Sequence, residues 1–231
     1  MKKYRCLLFD LDHTLWDYET NSEETLKELF SRFNVLEKGV TSFRYFFETF
    51  RRVNFALWDR YDRGLIGQEV IRTERFHKVF QETGVDDLRF SLEFSAHYLR
   101  ELPLKKNLLP QAKEVLDYLH PRYPLTVVTN GFDEIQYTKM SSAGIEHYFA
   151  HVVTSQRAGN KKPSPQIFDF ALKQSGHNAA DTVMIGDNLQ TDIAGARAAG
   201  IDTIFFNPQQ EPHKASVTFE IKALKDLMEL L

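Results

Sequence analysis

The chain has 231 residues, of which 42% are hydrophobic and 26% are charged, and its formal net charge is -3. This composition is typical of an ordinary globular protein with a substantial core, and it excludes a disordered tail or a polycation. We therefore expect neither nucleic acid nor a membrane as the main partner.

The first predicted strand covers residues 5–9 and is followed directly by Asp10 and, two residues later, by Asp12. Its apolar run is too short for the hydrophobic region of a signal peptide or for a membrane span. The run contains Cys6, the one cysteine of the sequence, so no intramolecular disulfide is possible and a reducing compartment is the simpler interpretation. We expect a cytoplasmic protein.

Residues 18–102 have no strand-like run and are dense in helical patterns. Asn21 with Glu24 forms a capping-box pattern, and the phenylalanines between residues 43 and 50 recur at helical spacing. Aromatic residues at this spacing more often form a core than a ligand site. The pattern predicts an all-helical cap domain at 18–102, inserted into a core domain of residues 1–17 and 103–231.

The rest of the chain alternates between predicted strands and predicted helices. Strands are predicted at 125–128, 182–185 and 203–206. Helices are predicted after Pro110, from about 133 to 143, from Pro165, and from about 191 to 200. This alternation is typical of α/β proteins, and it predicts a Rossmann-like parallel sheet covered by helices on both faces. A last amphipathic stripe is formed by Ile221, Leu224, Met228 and Leu231.

Polar side chains that suit phosphate chemistry follow the predicted strands, where open α/β sheets bind their ligands. They are Asp10, Asp12, Thr14, Thr129, Asn130, Asp187 and Asp192, and a loop adds Lys161 and Lys162. A carboxylate can attack a polyanionic phosphate ester only where a cation screens the repulsion and hydrogen-bond donors bind the oxygens. Mg²⁺ suits such a site, because it accepts one or two carboxylates together with substrate oxygens and waters.

Two of these carboxylates fit different steps of phosphoryl transfer. Asp10 ends its strand and is the natural nucleophile. Asp12 lies past a turn, where it could protonate the leaving oxygen and later take a proton from water. The two groups need opposite proton states, which their neighbours must enforce.

Four segments resemble the ordered motifs of the haloacid dehalogenase superfamily: DLDHT from residue 10, TN from 129, KKP from 161 and GDNLQTD from 186. The resemblance covers nearly the whole chain and implies a Mg²⁺-dependent phosphatase with a helical type 1 cap. By this resemblance Asp10 would form an aspartyl-phosphate, and Asp12 would be the acid/base, with its backbone carbonyl on Mg²⁺. Thr129 and the amide of Asn130 would hold the phosphoryl group.

The same resemblance assigns the remaining charged groups. Lys162 would neutralise Asp10 and the phosphoryl oxygens. Asp187 would bind Mg²⁺ directly, with Asp192 close behind through water or a hydrogen bond. The implied metal set is therefore Asp10, Asp12, Asp187 and Asp192.

The sequence defines the substrate class less closely than it defines the chemistry. The segment HTLWDY at residues 13–18 is most similar to pyrimidine 5'-nucleotidases with a helical cap, which would act on nucleoside monophosphates. Trp16 and Tyr18 are candidates to stack on a base, although hinge aromatics more often pack one domain against another.

Several alternatives stay open. They are a sugar-phosphate phosphatase, a phosphomutase, and a phospho-acceptor signalling or binding module without turnover. An acid at position 12 favours phosphoryl chemistry over cleavage of a carbon–halogen bond. We expect a small phosphorylated metabolite as the partner and a monomer or weak homodimer.

Overall fold

The computed structural model describes residues 4–231, so the first three residues of the predicted core domain lie outside the described part. The chain separates into two compact units. The larger unit comprises the chain up to Tyr18 together with Lys106–Leu231, and the smaller one is Glu19–Lys105.

The larger unit is built on one parallel sheet. Its strands are β1 (Cys6–Phe9), β2 (Leu125–Thr129), β3 (Phe149–Thr154), β4 (Thr182–Gly186), β5 (Asp202–Phe206) and β6 (Phe219–Ile221). They lie in the order β3-β2-β1-β4-β5-β6, and all described pairs are parallel. β1, β2 and β4 are buried along their whole length, since both faces of a parallel sheet are covered. The predicted α/β fold class is confirmed.

The sequence patterns missed the two edge strands. β3 carries an exposed Ala150 and a half-buried His151, so it lacks the continuous apolar run of the central strands. β6 has three residues, of which one is buried. An edge strand is covered less completely than a central one, and its sequence is correspondingly less apolar.

The helices, in chain order, divide between the two units. In the smaller unit they are α1 (Tyr18–Arg32), α2 (Phe43–Asp62), α3 (Gln68–Glu82) and α4 (Leu88–Glu101), where Tyr18 itself falls in the larger unit. In the larger unit they are α5 (Ala112–Leu119), α6 (Asp133–Ser142), α7 (Ser155–Ala158), α8 (Pro165–Ser175), α9 (Ala194–Ala198) and α10 (Leu227–Leu230). Among the described residues, none of these helices is both long and apolar enough to cross a bilayer.

The predicted helices of the larger unit are confirmed, with changes near the C-terminus. α6 is followed by Gly144 at φ +68°, and α9 by Gly200 at φ +74°, a backbone region that favours glycine. The helix expected from about 191 begins with a π-helical turn over Leu189–Ile193. The residues of the last amphipathic stripe fall in different elements, because Ile221 ends β6 and Leu224 begins a separate 3₁₀ turn.

The smaller unit is an all-helical bundle with an aromatic core. Phe46, Phe76, Phe80 and Phe94 are fully buried, and their ring centroids lie 5.0–5.8 Å apart in the pairs that touch. The expectation that the phenylalanine stripes form a core is therefore confirmed. The capping box expected at Asn21 is wrong, since α1 already begins at Tyr18 and Asn21 is buried inside it.

Candidate active site

The site residues lie where three neighbouring central strands end. Asp10 follows β1, Thr129 ends β2 and Asp187 follows β4. The backbone N–H of Asp10 still donates to the carbonyl of Ile185 on β4, at 2.9 Å. Because parallel strands end at one edge of the sheet, the three side chains gather there.

Asp10, Asp187 and Asp192 form an acidic cluster. Each offers a carboxylate oxygen, and these oxygens lie within 4.8 Å of one another. Burial raises the pKa of Asp10 well above its usual range; Lys162 opposes this shift, and Asp192 and Asp187 add to it. Burial and then Asp192 raise the pKa of Asp187 to about 6.

These carboxylates fit a hard divalent cation such as Mg²⁺. The donors are all carboxylate oxygens. Among the described residues, Lys162 offsets only part of the repulsion between the three carboxylates. The residues that would hold the ion are Asp10, Asp187 and Asp192. The side chain of Asp12, which was also expected in the metal set, lies elsewhere in an ion pair, so the backbone carbonyl expected from the resemblance stays a prediction.

Lys162 is a buried cation between two carboxylates. Its Nζ donates to Oδ1 of Asp10 and, at 2.6 Å, to Oδ1 of Asp192. Burial lowers its pKa, but Asp10 and Asp192 outweigh burial, and the net shift is upward. The side chain of Asn130 fixes the backbone of Lys162, because it donates to the carbonyl at 3.0 Å and accepts from the N–H at 2.8 Å.

The position of Asp192 depends on a glycine. A Cβ atom on Gly186 would lie 2.3 Å from Oδ2 of Asp192, so a side chain there would exclude the carboxylate. That oxygen accepts from the backbone N–H of Asn188 at 3.0 Å. Asp187 in turn accepts from the hydroxyl of Thr14 at 2.9 Å. The turn after β4 therefore aims both carboxylates at the same place.

Thr129 presents a buried hydroxyl at the end of β2. Its oxygen accepts from the backbone N–H of Gly131 at 3.1 Å and from Nε2 of Gln136 at 2.7 Å. Because both contacts use the oxygen as acceptor, the hydroxyl hydrogen can donate to a phosphoryl oxygen. The role expected for the amide of Asn130 stays a prediction.

Asp12 has two partners that the sequence patterns missed, both on α6. Nζ of Lys139 donates to its Oδ1 at 2.6 Å, and Nε2 of Gln136 donates to its Oδ2 at 2.9 Å. Burial raises the pKa of Asp12, but Lys139 and Gln136 outweigh burial and hold it below its usual range. Asp10 and Asp12, two residues apart, thus lie in opposite electrostatic surroundings. The available signal was the polar pair, spaced three residues apart on the helix after Thr129.

The rings of Trp16 and Tyr18 both lie close to the ammonium of Lys139. The Trp16 side chain is fully buried and the Tyr18 side chain is half-buried, with their ring centroids 6.3 Å apart. Nζ of Lys139 lies 4.5 Å from the Trp16 ring, within the range of a cation–π contact. Stacking of either ring on a base stays a prediction.

The fold and the site together define an α/β protein that places paired carboxylates and a buried lysine at the carboxyl edge of a parallel sheet. A helical domain is inserted after its first strand. A model of the haloacid dehalogenase-like hydrolases matches residues 4–200, and the chain belongs to that family.

Relatives of known name match the chain over nearly its whole length. It is 33% identical to pyrimidine 5'-nucleotidase PynA of Streptococcus pneumoniae, covering 99% of this chain and 95% of PynA. It is 28% identical to pyrimidine 5'-nucleotidase YjjG of Escherichia coli, covering 99% and 98%. The crystal structure of the HAD-hydrolase YfnB of Bacillus subtilis, bound to magnesium, has a TM-score of 0.89 at 27% identity and covers 99% of both chains.

Proposed function

We propose that the chain is a Mg²⁺-dependent phosphatase that hydrolyses small phosphomonoesters through an aspartyl-phosphate on Asp10. The observation that carries the proposal is the ammonium of Lys162, buried between Asp10 and Asp192 at the end of β1. A nucleophilic carboxylate next to a fixed cation is the arrangement that attack on a phosphate dianion requires.

In the first step, a carboxylate oxygen of Asp10 attacks phosphorus and the bond from phosphorus to the ester oxygen breaks. The leaving oxygen takes a proton from Asp12, which must enter this step protonated even though Lys139 and Gln136 lower the pKa of its carboxyl group. Lys162 and the hydroxyl of Thr129 bind the phosphoryl oxygens as charge develops on them. When bound, Mg²⁺ supplies additional positive charge that screens the substrate from the acidic cluster.

In the second step, water attacks phosphorus and the bond to the Asp10 oxygen breaks. Asp12, now a carboxylate, takes the proton from the water, so phosphate leaves and Asp10 is regenerated. The pairing of Asp12 with Lys139 and Gln136 favours the ionised form that this step needs.

The substrate that the comparisons support best is a pyrimidine nucleoside 5'-monophosphate. Both PynA and YjjG are named for this activity, and each matches the chain end to end. Trp16 and Tyr18 remain the aromatic candidates for contact with a base.

The test is phosphate release from a panel of nucleoside monophosphates and sugar phosphates, with Mg²⁺ and with EDTA. Asp10→Asn is expected to abolish the release. Asp169→Asn, at an exposed position on α8, is the matched control and is expected to retain it. Release that survives in Asp10→Asn would refute the aspartyl-phosphate, and preference for a sugar phosphate would refute the nucleotidase assignment.

A further inference from the structure

Both carboxylate oxygens of Asp12 are held by one helix. Lys139 and Gln136 lie three residues apart on α6, on the same face, and each binds a different oxygen of the carboxylate. A carboxylate with a donor on each oxygen has a defined plane as well as a defined position. The acid/base candidate is therefore oriented by side chains more than 120 residues further along the chain.

The two donors are themselves fixed. The side chain of Lys139 is 5% exposed, pairs with Asp12, and lies with its ammonium over the ring of Trp16. Gln136 is fully buried, and its Nε2 bridges Asp12 and the hydroxyl of Thr129. Neither side chain has room to adopt a second position without repacking its neighbours.

A glycine makes the Gln136 bridge possible. A Cβ atom on Gly131 would lie 1.9 Å from Nε2 of Gln136, so only glycine leaves space for the amide there. The amide thereby couples the residue expected to bind the phosphoryl group, Thr129, to the residue expected to move the proton, Asp12. The distance between the two functions is set within the larger unit, by α6.

We propose that Lys139 and Gln136 are positioning residues that orient the Asp12 carboxylate for proton transfer. This inference rests on the proposed function, in which Asp12 is the acid/base. Lys139 contacts Asp12 and not Thr129, so it acts on the step that moves a proton, whereas Gln136 also holds the hydroxyl of Thr129. Loss of Lys139 should therefore lower kcat and leave KM nearly unchanged.

The leaving group distinguishes this role from a purely structural one. A poor leaving group such as phenol needs the proton of Asp12, whereas 4-nitrophenol departs with little help. Single-turnover release of each alcohol measures the first chemical step. For Lys139→Met we expect a loss of about 10- to 100-fold with phenyl phosphate and under about 3-fold with 4-nitrophenyl phosphate. Lys139→Arg should restore part of the lost rate, and Lys113→Met, at an exposed position on α5, should change neither rate.

A double-mutant cycle with Asp12→Asn completes the experiment. If Lys139 acts through Asp12, then Lys139→Met should lower the rate by less than about twofold in the Asp12→Asn background. Equal losses on both esters, or full losses that multiply with Asp12→Asn, would overturn the inference. If Lys139→Met fails to fold by circular dichroism, Gln136→Leu is put through the same cycle. The criterion is then the loss with phenyl phosphate relative to the loss with 4-nitrophenyl phosphate, because the lost contact with Thr129 lowers both rates alike. If Asp12→Asn itself retains the full rate with phenyl phosphate, the acid/base assignment fails, which is a failure of the proposed function.

Discussion

Gly195 on α9 packs against the loop that carries Lys162. The substitution Gly195→Ala tests whether this packing holds Lys162 in place. A Cβ atom there would lie 2.6 Å from Cε2 of Phe168, 2.8 Å from Cα of Pro163 and 2.9 Å from the carbonyl oxygen of Pro163. Since heavy atoms in contact prefer about 3.5 Å, the overlap is about 0.6 to 0.9 Å. Two of the three atoms belong to the backbone next to Lys162, so rotation of a side chain cannot relieve it.

The cost of Gly195→Ala follows from two opposing effects. Overpacking a well-packed core typically costs about 1–3 kcal/mol. Alanine returns about 1 kcal/mol through its higher helix propensity. The expected net loss in the free energy of unfolding is therefore about 1 kcal/mol and reaches about 2 kcal/mol if the helix cannot shift.

The same displacement should reach the site. If α9 gives way, Asp192 moves from the Lys162 ammonium, and if the Pro163 backbone gives way, the ammonium moves from Asp10 as well. Misplacement of a catalytic group by about 1 Å can cost about 100-fold in rate. We expect kcat for 4-nitrophenyl phosphate to fall by at least about 10-fold.

Stability is measured by urea denaturation and activity by release of 4-nitrophenol. Ala194→Ser adds one atom to the exposed side of the same helix and is the control, with an expected change within about 0.5 kcal/mol. If Gly195→Ala keeps both the stability and the activity of the wild type, the close packing of α9 on the Lys162 loop is refuted.

The remaining predictions concern two buried charge sites. A bound cation would relieve the electrostatic repulsion between Asp10, Asp187 and Asp192. In thermal unfolding, Mg²⁺ at 100 times its dissociation constant should therefore raise the free energy of unfolding by about 2.7 kcal/mol. Asp187→Asn should lose this gain yet be at least as stable as the wild type in EDTA, and marked destabilisation in EDTA would contradict the inferred repulsion. Arg75, in the helical unit, is 3% exposed and donates to Asn54 at 3.0 Å, but among the described residues its Nε and Nη2 have no acceptor. Since an unpaired buried charge is costly, Arg75→Met should leave the free energy of unfolding in urea unchanged or raise it by up to about 4 kcal/mol. The guanidinium also lies 4.8–5.8 Å from the ring centroids of Phe50, Phe76 and Tyr98, and a loss above about 2 kcal/mol would show that these rings stabilise it more strongly.

The sequence by itself determined the sheet's central strands and the residues that end them. Strands that are buried on both faces must be apolar throughout, so β1, β2 and β4 are visible as local runs. The polar residues that follow such runs must lie at one edge of the sheet, and this placed Asp10 and Asp187 in one site. Patterns of this kind are local, and each needs only a few neighbouring residues to be recognised.

The tertiary structure alone decided which groups surround Asp12. Lys139 and Gln136 lie 127 and 124 residues from Asp12 in sequence, and the three-residue spacing of this pair does not say which carboxylate it contacts. The bundle likewise placed Asn21 inside α1, since burial there outweighed its local preference for a helix start. A pKa depends on charges and burial within a few ångströms in space, so the opposite surroundings of Asp10 and Asp12 follow from packing, which sequence spacing does not specify.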